Sequence, residues 1–402
     1  MRALFCHQNF PGQFPHIAAH LTSIPGNQVV SISQPHARGL QNVPRVTYVP
    51  SRQVTPNIHH YIAGLESAVL NGQAVAKTME SLKRKGFVPD VVIGHAGWGE
   101  TLYVKDVFPE TKLINYFEFF YRATGADTDF DPEYLNTIDD VLRIRTKNSI
   151  NLLALEGCDA GVCASQWQKS LYPNEFQPKI SLIHEGVNTD VAKPDAKAKF
   201  TLPNGKMLTN KDKIVTFVSR NLEPYRGFHT FMRAIPEICQ RQPDCHVLIV
   251  GGDEVSYGRR LNGGLTYREK MLQEVKINSN RVHFLGKIAH EEYVKMLQIS
   301  SAHVYLTVPF VLSWSMLEAM AAGCVVIGSK TAPVLEVLNS KNGVLVDFFS
   351  ASEVASAVDD ALKSKKKYAE VRKSACETIV TGYSVQKSIK QYEALFKKLK
   401  LK

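Results

Sequence analysis

Several things are missing from these 402 residues. Apolar runs such as 302–314 (AHVYLTVPFVLSW) fall short of the ~20 residues that a bilayer span needs. No low-complexity tract occurs, and Pro and Gly are ordinary at 19 and 25 residues, so collagen-like and largely disordered chains are excluded. No Cys-x-x-Cys pair is present, and the closest of the seven cysteines (158/163 and 239/245) lack histidines at zinc-ligand spacing. Reduced, mostly buried thiols are expected, as in a cytosolic protein. The start, MRALFCHQNFPGQF, has only a brief apolar stretch before Pro11, so no secretory leader is expected. Gly12 and Gly251–Gly252 each follow a strand candidate, but no Gly-x-Gly-x-x-Gly does, which disfavours a dinucleotide-dependent dehydrogenase.

What is present is globular: 44% hydrophobic and 21% charged residues, enough for two or three domains. The net charge of +10 is uneven. Residues 1–190 hold 16 Lys+Arg against 18 Asp+Glu, and residues 363–402 hold 12 against 3. That basic tail reads as the solvated face of the last helices; a membrane footprint is the second reading, and no nucleic-acid partner is expected. In 384–402, Ile389, Tyr392, Leu395, Phe396 and Leu399 form one helical stripe with the lysines largely off it.

Short apolar runs alternate with helix-length segments. Strand candidates in the first half are Arg2–Cys6, Gln28–Ile32, Asp90–Ile93, Lys112–Tyr116 and Ile180–His184. Those in the second half are Ile214–Ser219, His246–Val250, Val282–Leu285, His303–Val308, Val325–Gly328 and Val344–Asp347. Continuous apolar strands separated by helices predict an α/β chain with two doubly wound parallel sheets. Asp131–Pro132 predicts the start of a helix running to Glu156. Residues 188–213 (Asn188–Lys213), polar and without periodicity, read as the connection between domains.

Two segments carry chemistry. In PFVLSWSMLEAMAAG (309–323) a strand runs through a loop into a helix opening at Ser313, Trp314, Ser315 and Met316. Its free N–H groups and dipole suit an anion. Glu318, a turn inside, can accept from a vicinal diol such as a ribose, or be an ordinary solvated glutamate. In KIVTFVSRNLEPYRGF (213–228), Arg220 and Arg226 fall in a strand-to-helix loop. There they can clamp a diphosphate, or pair at the surface with acids such as Glu223. Asp127, Asp129 and Asp131 form two overlapping Asp-x-Asp pairs, but they precede a helix rather than end a buried strand. Capping is the reading there, and no metal is expected, at His59–His60 either.

The stretches SRNLEPYRGF, HVLIVGGDE, RVHFLGKIAHEEY, EAMAAGCVVIGS and TAPVLEVLNSKNGVLVDF together resemble retaining glycosyltransferases of family four, which have the GT-B fold. The first half is similar more thinly, at the Gly12 turn, the His95 loop and IHEGVNTD (183–190). The resemblance implies two Rossmann-like domains facing a central cleft: 1–190 on the acceptor side, 191–383 binding the nucleotide sugar, and a helix at 384–402 crossing back to the first. It implies that Arg220 and Arg226 hold the donor diphosphate and Glu318 the ribose. Gly286, Lys287 and Ile288 would border the base, Gly12 would admit the phosphates, and His95 would lie near the reacting sugar. The sequence departs from the family pattern at Phe310, where a glutamate is usual. Glu118, the one acid in NYFEFFYR (115–122), is the candidate for a polar role beside the sugar.

The expected activity is metal- and cofactor-independent, retaining transfer of a sugar from a nucleotide diphosphate donor to a glycan, lipid-linked or protein acceptor. The expected location is the cytoplasm, with a peripheral membrane contact through the basic tail as the variant suited to a lipid-linked acceptor. A GT-B epimerase or hydrolase, and a non-catalytic nucleotide-sugar-binding protein, are the alternatives.

Overall fold

The computed structural model describes residues 1–364 and 366–401. The chain divides into two compact units, Met1–Gly186 with the segment from Val385 onward, and Val187–Ser384.

The first unit contains strands β1 (Arg2–Cys6), β2 (Gln28–Ser33), β3 (Arg45–Thr47), β4 (Val91–His95), β5 (Lys112–Tyr116), β6 (Ala160–Cys163) and β7 (Ile180–Leu182). They form one parallel sheet in the order β3-β2-β1-β4-β5-β6-β7. Burial on both faces explains why β4 is apolar at Val91, Val92 and Ile93 in succession. The closing helix Val385–Lys398 belongs to this unit. Its Tyr392, Leu395 and Phe396 enter the same core as Phe14, Ile17 and Leu21, the last two on the helix Pro15–Ser23. Burying each large apolar side chain contributes about 1.5–3 kcal/mol. The apolar stripe is therefore spent on the core, and Lys387, Lys390, Lys397 and Lys398 stay exposed.

The second unit begins with a two-stranded antiparallel hairpin, β8 (Lys199–Thr201) and β9 (Met207–Thr209). Its parallel sheet holds β10 (Ile214–Asn221), β11 (His246–Gly252), β12 (Val282–Gly286), β13 (Ala302–Tyr305), β14 (Val325–Ser329) and β15 (Val344–Val346), in the order β12-β11-β10-β13-β14-β15. Phe217 on β10 stacks against Phe231 of the helix Phe228–Arg241, with centroids 4.8 Å apart, fixing that helix on the sheet.

Three expectations are corrected. Residues 188–213 are not a bare connection: Ala192, Ala198, Phe200, Leu202 and Leu208 are buried in the second unit's core. The helix expected from Pro132 starts at Ile138. Thr137 caps it, in a reciprocal capping box with Asp140, and the segment is broken at Asn148. Asp131 instead accepts the N–H of Glu133 in a local turn (2.9 Å). Finally, β3 and β6 lie outside the strand candidates. Each is a run of three or four residues with little apolar signal of its own.

Candidate active site

In open α/β sheets the ligand crevice lies beyond the carboxyl ends of the strands, where strand order reverses. In the second unit that point is the pair β10 and β13. The loop after β10 carries Arg226 and the loop after β13 carries Phe310 and Ser313. Gly227, at φ +64°, makes the close approach: a Cβ there would lie 2.3 Å from the Leu306 Cβ.

Arg226 is 6% exposed. Its Nη1 donates to the Tyr305 hydroxyl (3.0 Å) and to Thr307 Oγ1 (2.8 Å). The guanidinium carbon lies 5.6 Å from the Tyr257 ring centre, 5.9 Å from Tyr305 and 5.8 Å from Phe310. No carboxylate among the described residues pairs with it, so its charge is held by hydroxyls and ring faces alone. Phe310 packs edge-on against Tyr225 (5.3 Å) and stands 5.0 Å from Tyr257. Glu223, 1% exposed, accepts the backbone N–H groups of Ser256, Tyr257 and Gly258 at 3.1, 3.1 and 2.8 Å. It thereby pins the loop that bears Tyr257; it is not a surface partner for an arginine. Arg220 is exposed at the end of β10.

The helix Trp314–Ala321 opens with Ser313 as its cap, which accepts the N–H of Ser315 at 3.3 Å, while Ser315 Oγ donates to Ser313 Oγ at 3.0 Å. The Ser313 N–H donates to Tyr305 Oη at 2.7 Å, tying the helix start to Arg226. Trp314 is 45% exposed. Met316 is fully buried and its N–H donates to the Ser313 carbonyl (3.3 Å). Glu318 is not the solvated glutamate of the bland reading. Tyr293 Oη donates to its Oε2 (2.8 Å) and His290 Nε2 lies 3.1 Å from Oε1. That hydrogen bond raises the His290 pKa above its ordinary value, against the opposing effect of burial. Gly286 closes β12 at φ +64°, Lys287 Nζ reaches Glu254 Oε2 (2.9 Å), and Ile288 packs partly onto the core.

The first unit reverses strand order between β1 and β4, and polar residues gather at their carboxyl ends. His95 Nδ1 accepts the Gly97 N–H (3.0 Å), which leaves Nε2 as the nitrogen that bears a proton, 3.4 Å from Glu118 Oε2. The His95 ring lies on Trp98 at 3.9 Å. Glu118 Oε1 accepts from Gln13 Nε2 (3.4 Å), and Gln13 Oε1 accepts from His7 Nε2 (2.9 Å). Burial, then the neighbouring His95, lowers the His7 pKa to about 3, so His7 is neutral. Gly12 is required here: at φ +51°, a Cβ would fall 2.4 Å from His7 Nε2. The structure thus joins Gly12, His95 and Glu118 in one cluster, and adds His7, Gln13 and Trp98. The sequence HQNFPGQ (7–13), with polar residues straight after an apolar strand, hinted at His7 and Gln13, and no signal marked Trp98.

Two switch points, each with polar loops at the carboxyl ends of a parallel sheet, define the GT-B class. Residues 25–192 match a family model described as "Glycosyl transferase family 4 group", and residues 203–378 match "Glycosyl transferases group 1". The chain belongs to the family-four glycosyltransferases. It is 26% identical over 263 residues to a phosphatidyl-myo-inositol mannosyltransferase of Mycolicibacterium smegmatis, covering 56% of this chain and 64% of that protein. It is 29% identical over 224 residues to a GDP-mannose-dependent alpha-(1-6)-phosphatidylinositol monomannoside mannosyltransferase of Mycobacterium tuberculosis, covering 52% and 53%. The matched stretch thus spans between about half and two thirds of those relatives. Among solved structures, sucrose-phosphate synthase of Thermosynechococcus elongatus has a TM-score of 0.74 at 18% identity, with 99% of each chain covered. Anabaena HepE in complex with UDP-glucose has 0.68 at 15%, covering 99% of this chain and 100% of that one. No helix among the described residues is long and apolar enough to cross a membrane.

Proposed function

We propose that this protein transfers a sugar, with retention and without a metal ion, from a nucleotide diphosphate sugar to an acceptor. The observation that carries the reading is Arg226: a buried guanidinium at the strand switch point with no carboxylate among the described residues to neutralise it. A buried charge of that kind calls for a counter-charge, and the leaving diphosphate supplies one. Arg220 and the N–H groups at the start of the helix Trp314–Ala321 add to the same positive field. Glu318, oriented by His290 and Tyr293, accepts from the ribose hydroxyls. Gly286, Lys287 and Ile288 border the base, and the Gly12 turn, His95 and Glu118 serve the sugar and acceptor.

In the reaction the bond from the sugar's anomeric carbon to the diphosphate oxygen breaks. The acceptor oxygen bonds that carbon from the same face, and its proton passes to the departing phosphate oxygen. The protein's part is charge stabilisation and positioning. The mannosyltransferase relatives make GDP-mannose the first donor to try and an inositol phospholipid the first acceptor; HepE with UDP-glucose adds that donor to the panel. A melting-temperature panel of UDP, GDP, ADP and their sugars tests the reading: one nucleotide must stabilise wild type, by ~2.7 kcal/mol at 100-fold excess over Kd, and fail to do so in Arg226→Ala. Equal stabilisation of both proteins removes the assignment.

A further inference from the structure

At the amino ends of the second unit's strands, away from the loops just described, a second group of cations converges. His246 is the first residue of β11, Arg281 and His283 flank the start of β12, and Lys206 lies in the β8–β9 turn. Lys206 Nζ is 2.8 Å from His246 Nε2, and Arg281 Nη1 is 3.2 Å from the same atom. His246 Nδ1 lies 3.0 Å from His283 Nε2, with the two rings stacked at 5.3 Å. His246 itself is buried, at 3% exposure.

An imidazole nitrogen has one lone pair, so it satisfies one N–H donor and not two. The remaining acceptor for Arg281 Nη1 is the Asp244 carbonyl, at a long 3.4 Å. Neither Lys206 nor Arg281 is paired with a carboxylate among the described residues. The two acids that bear on the group are engaged elsewhere: Asp244 with Lys213 Nζ (3.0 Å), and Asp212 with the N–H and hydroxyl of Thr209 (2.8 and 3.1 Å). Two cations thus share one neutral acceptor; the charges of Asp212 and Asp244 bear on the group from nearby, but among the described residues neither carboxylate hydrogen-bonds Lys206 or Arg281.

We propose that Lys206, Arg281, His246 and His283 form a binding site for a phosphate-type oxyanion, separate from the donor site. An oxyanion offers several lone pairs and a negative charge, so it satisfies both cations at once. It also reverses the field on the histidines. Burial, then Lys206, His283 and Arg281, hold the His246 pKa down at about 4, so the ring is neutral in their presence. Anion binding favours its protonated form, which adds a donor to the site.

The test is NMR of the histidine rings in the full chain, titrated with inorganic phosphate at constant ionic strength. Saturable movement of the His246 and His283 signals is expected, with the His246 titration midpoint rising. Lys206→Gln with Arg281→Gln should weaken the phosphate affinity ~10-fold or more. If Arg281→Gln disturbs the melting temperature, Lys206→Gln alone, at an exposed position, carries the comparison. A parallel titration with glycerol phosphate assigns the source: tighter inorganic phosphate indicates the free anion, tighter glycerol phosphate a phosphorylated molecule. Histidine signals that do not move with either, or that move equally in the variants, overturn the proposal.

Discussion

The hydroxyl oxygen of Tyr305 accepts Arg226 Nη1 at 3.0 Å, and also the Ser313 N–H at 2.7 Å. One phenol therefore fixes the guanidinium from the β10 loop against the first turn of the helix that follows β13. Tyr305→Phe keeps the ring and removes the shared acceptor. We expect a folded protein whose affinity for the donor nucleotide falls by ~10- to 150-fold, the scale of a lost hydrogen bond to a charged group. Calorimetry with the preferred nucleoside diphosphate measures it, and unchanged affinity would show that Tyr305 is packing alone.

If the proposed reaction holds, Arg226→Ala should slow transfer by ~10²-fold or more, the scale of a lost electrostatic donor at the leaving group. Arg226→Lys keeps the charge but loses the guanidinium fork that reaches Tyr305 and Thr307, and an intermediate rate is expected. Steady-state rates of both variants decide it; a wild-type rate in Arg226→Ala would remove Arg226 from the reaction.

Glu318→Gln should weaken binding of the bare nucleoside diphosphate, not only of the sugar donor, by about 1.5–3 kcal/mol. The same change removes the carboxylate that raises the His290 pKa. For a raised histidine, the stabilisation is full below the unfolded-state pKa and is lost as pH rises through the folded value. In the variant, the His290 NMR midpoint should drop and that pH dependence should flatten. A midpoint that stays put would separate His290 from Glu318.

Glu100 is fully buried in the first unit. Tyr48 Oη donates to its Oε1 at 2.9 Å, and burial raises its pKa to about 8. The folded state therefore holds the proton that the unfolded chain releases near 4.5. Its stabilising contribution is full below that pH and is lost progressively as pH rises toward 8. Glu100→Gln, neutral and of equal size, should flatten the fall of melting temperature between those values. An unchanged slope would mean that the carboxyl is ionised in the fold.

The sheets were legible because burial on both faces writes strands as continuous apolar runs, as at Val91–Ile93 and Val247–Val250. The helix start at Ile138 was written locally too, as Thr137 followed three residues later by Asp140, but Asp131–Pro132 offered a competing signal. Arg220, Arg226 and Glu318 stood out by their place after strands. Their partners did not, since Tyr305 meets Arg226 only once β13 has paired beside β10. Tyr293 meets Glu318 from another helix, again through the tertiary fold. The hairpin in 188–213 was hidden because its strands, Lys199–Thr201 and Met207–Thr209, are three residues each, too short to show a period.

The most direct test is the anomeric configuration of the product, read by NMR after incubation of the wild-type enzyme with its stabilising nucleotide sugar and an acceptor in EDTA. The expected product keeps the donor's configuration and forms at the same rate with or without the chelator. An inverted product, free sugar in place of a glycoside, or activity that vanishes in EDTA and returns with Mn²⁺ would contradict a metal-free, retaining transfer built on Arg226.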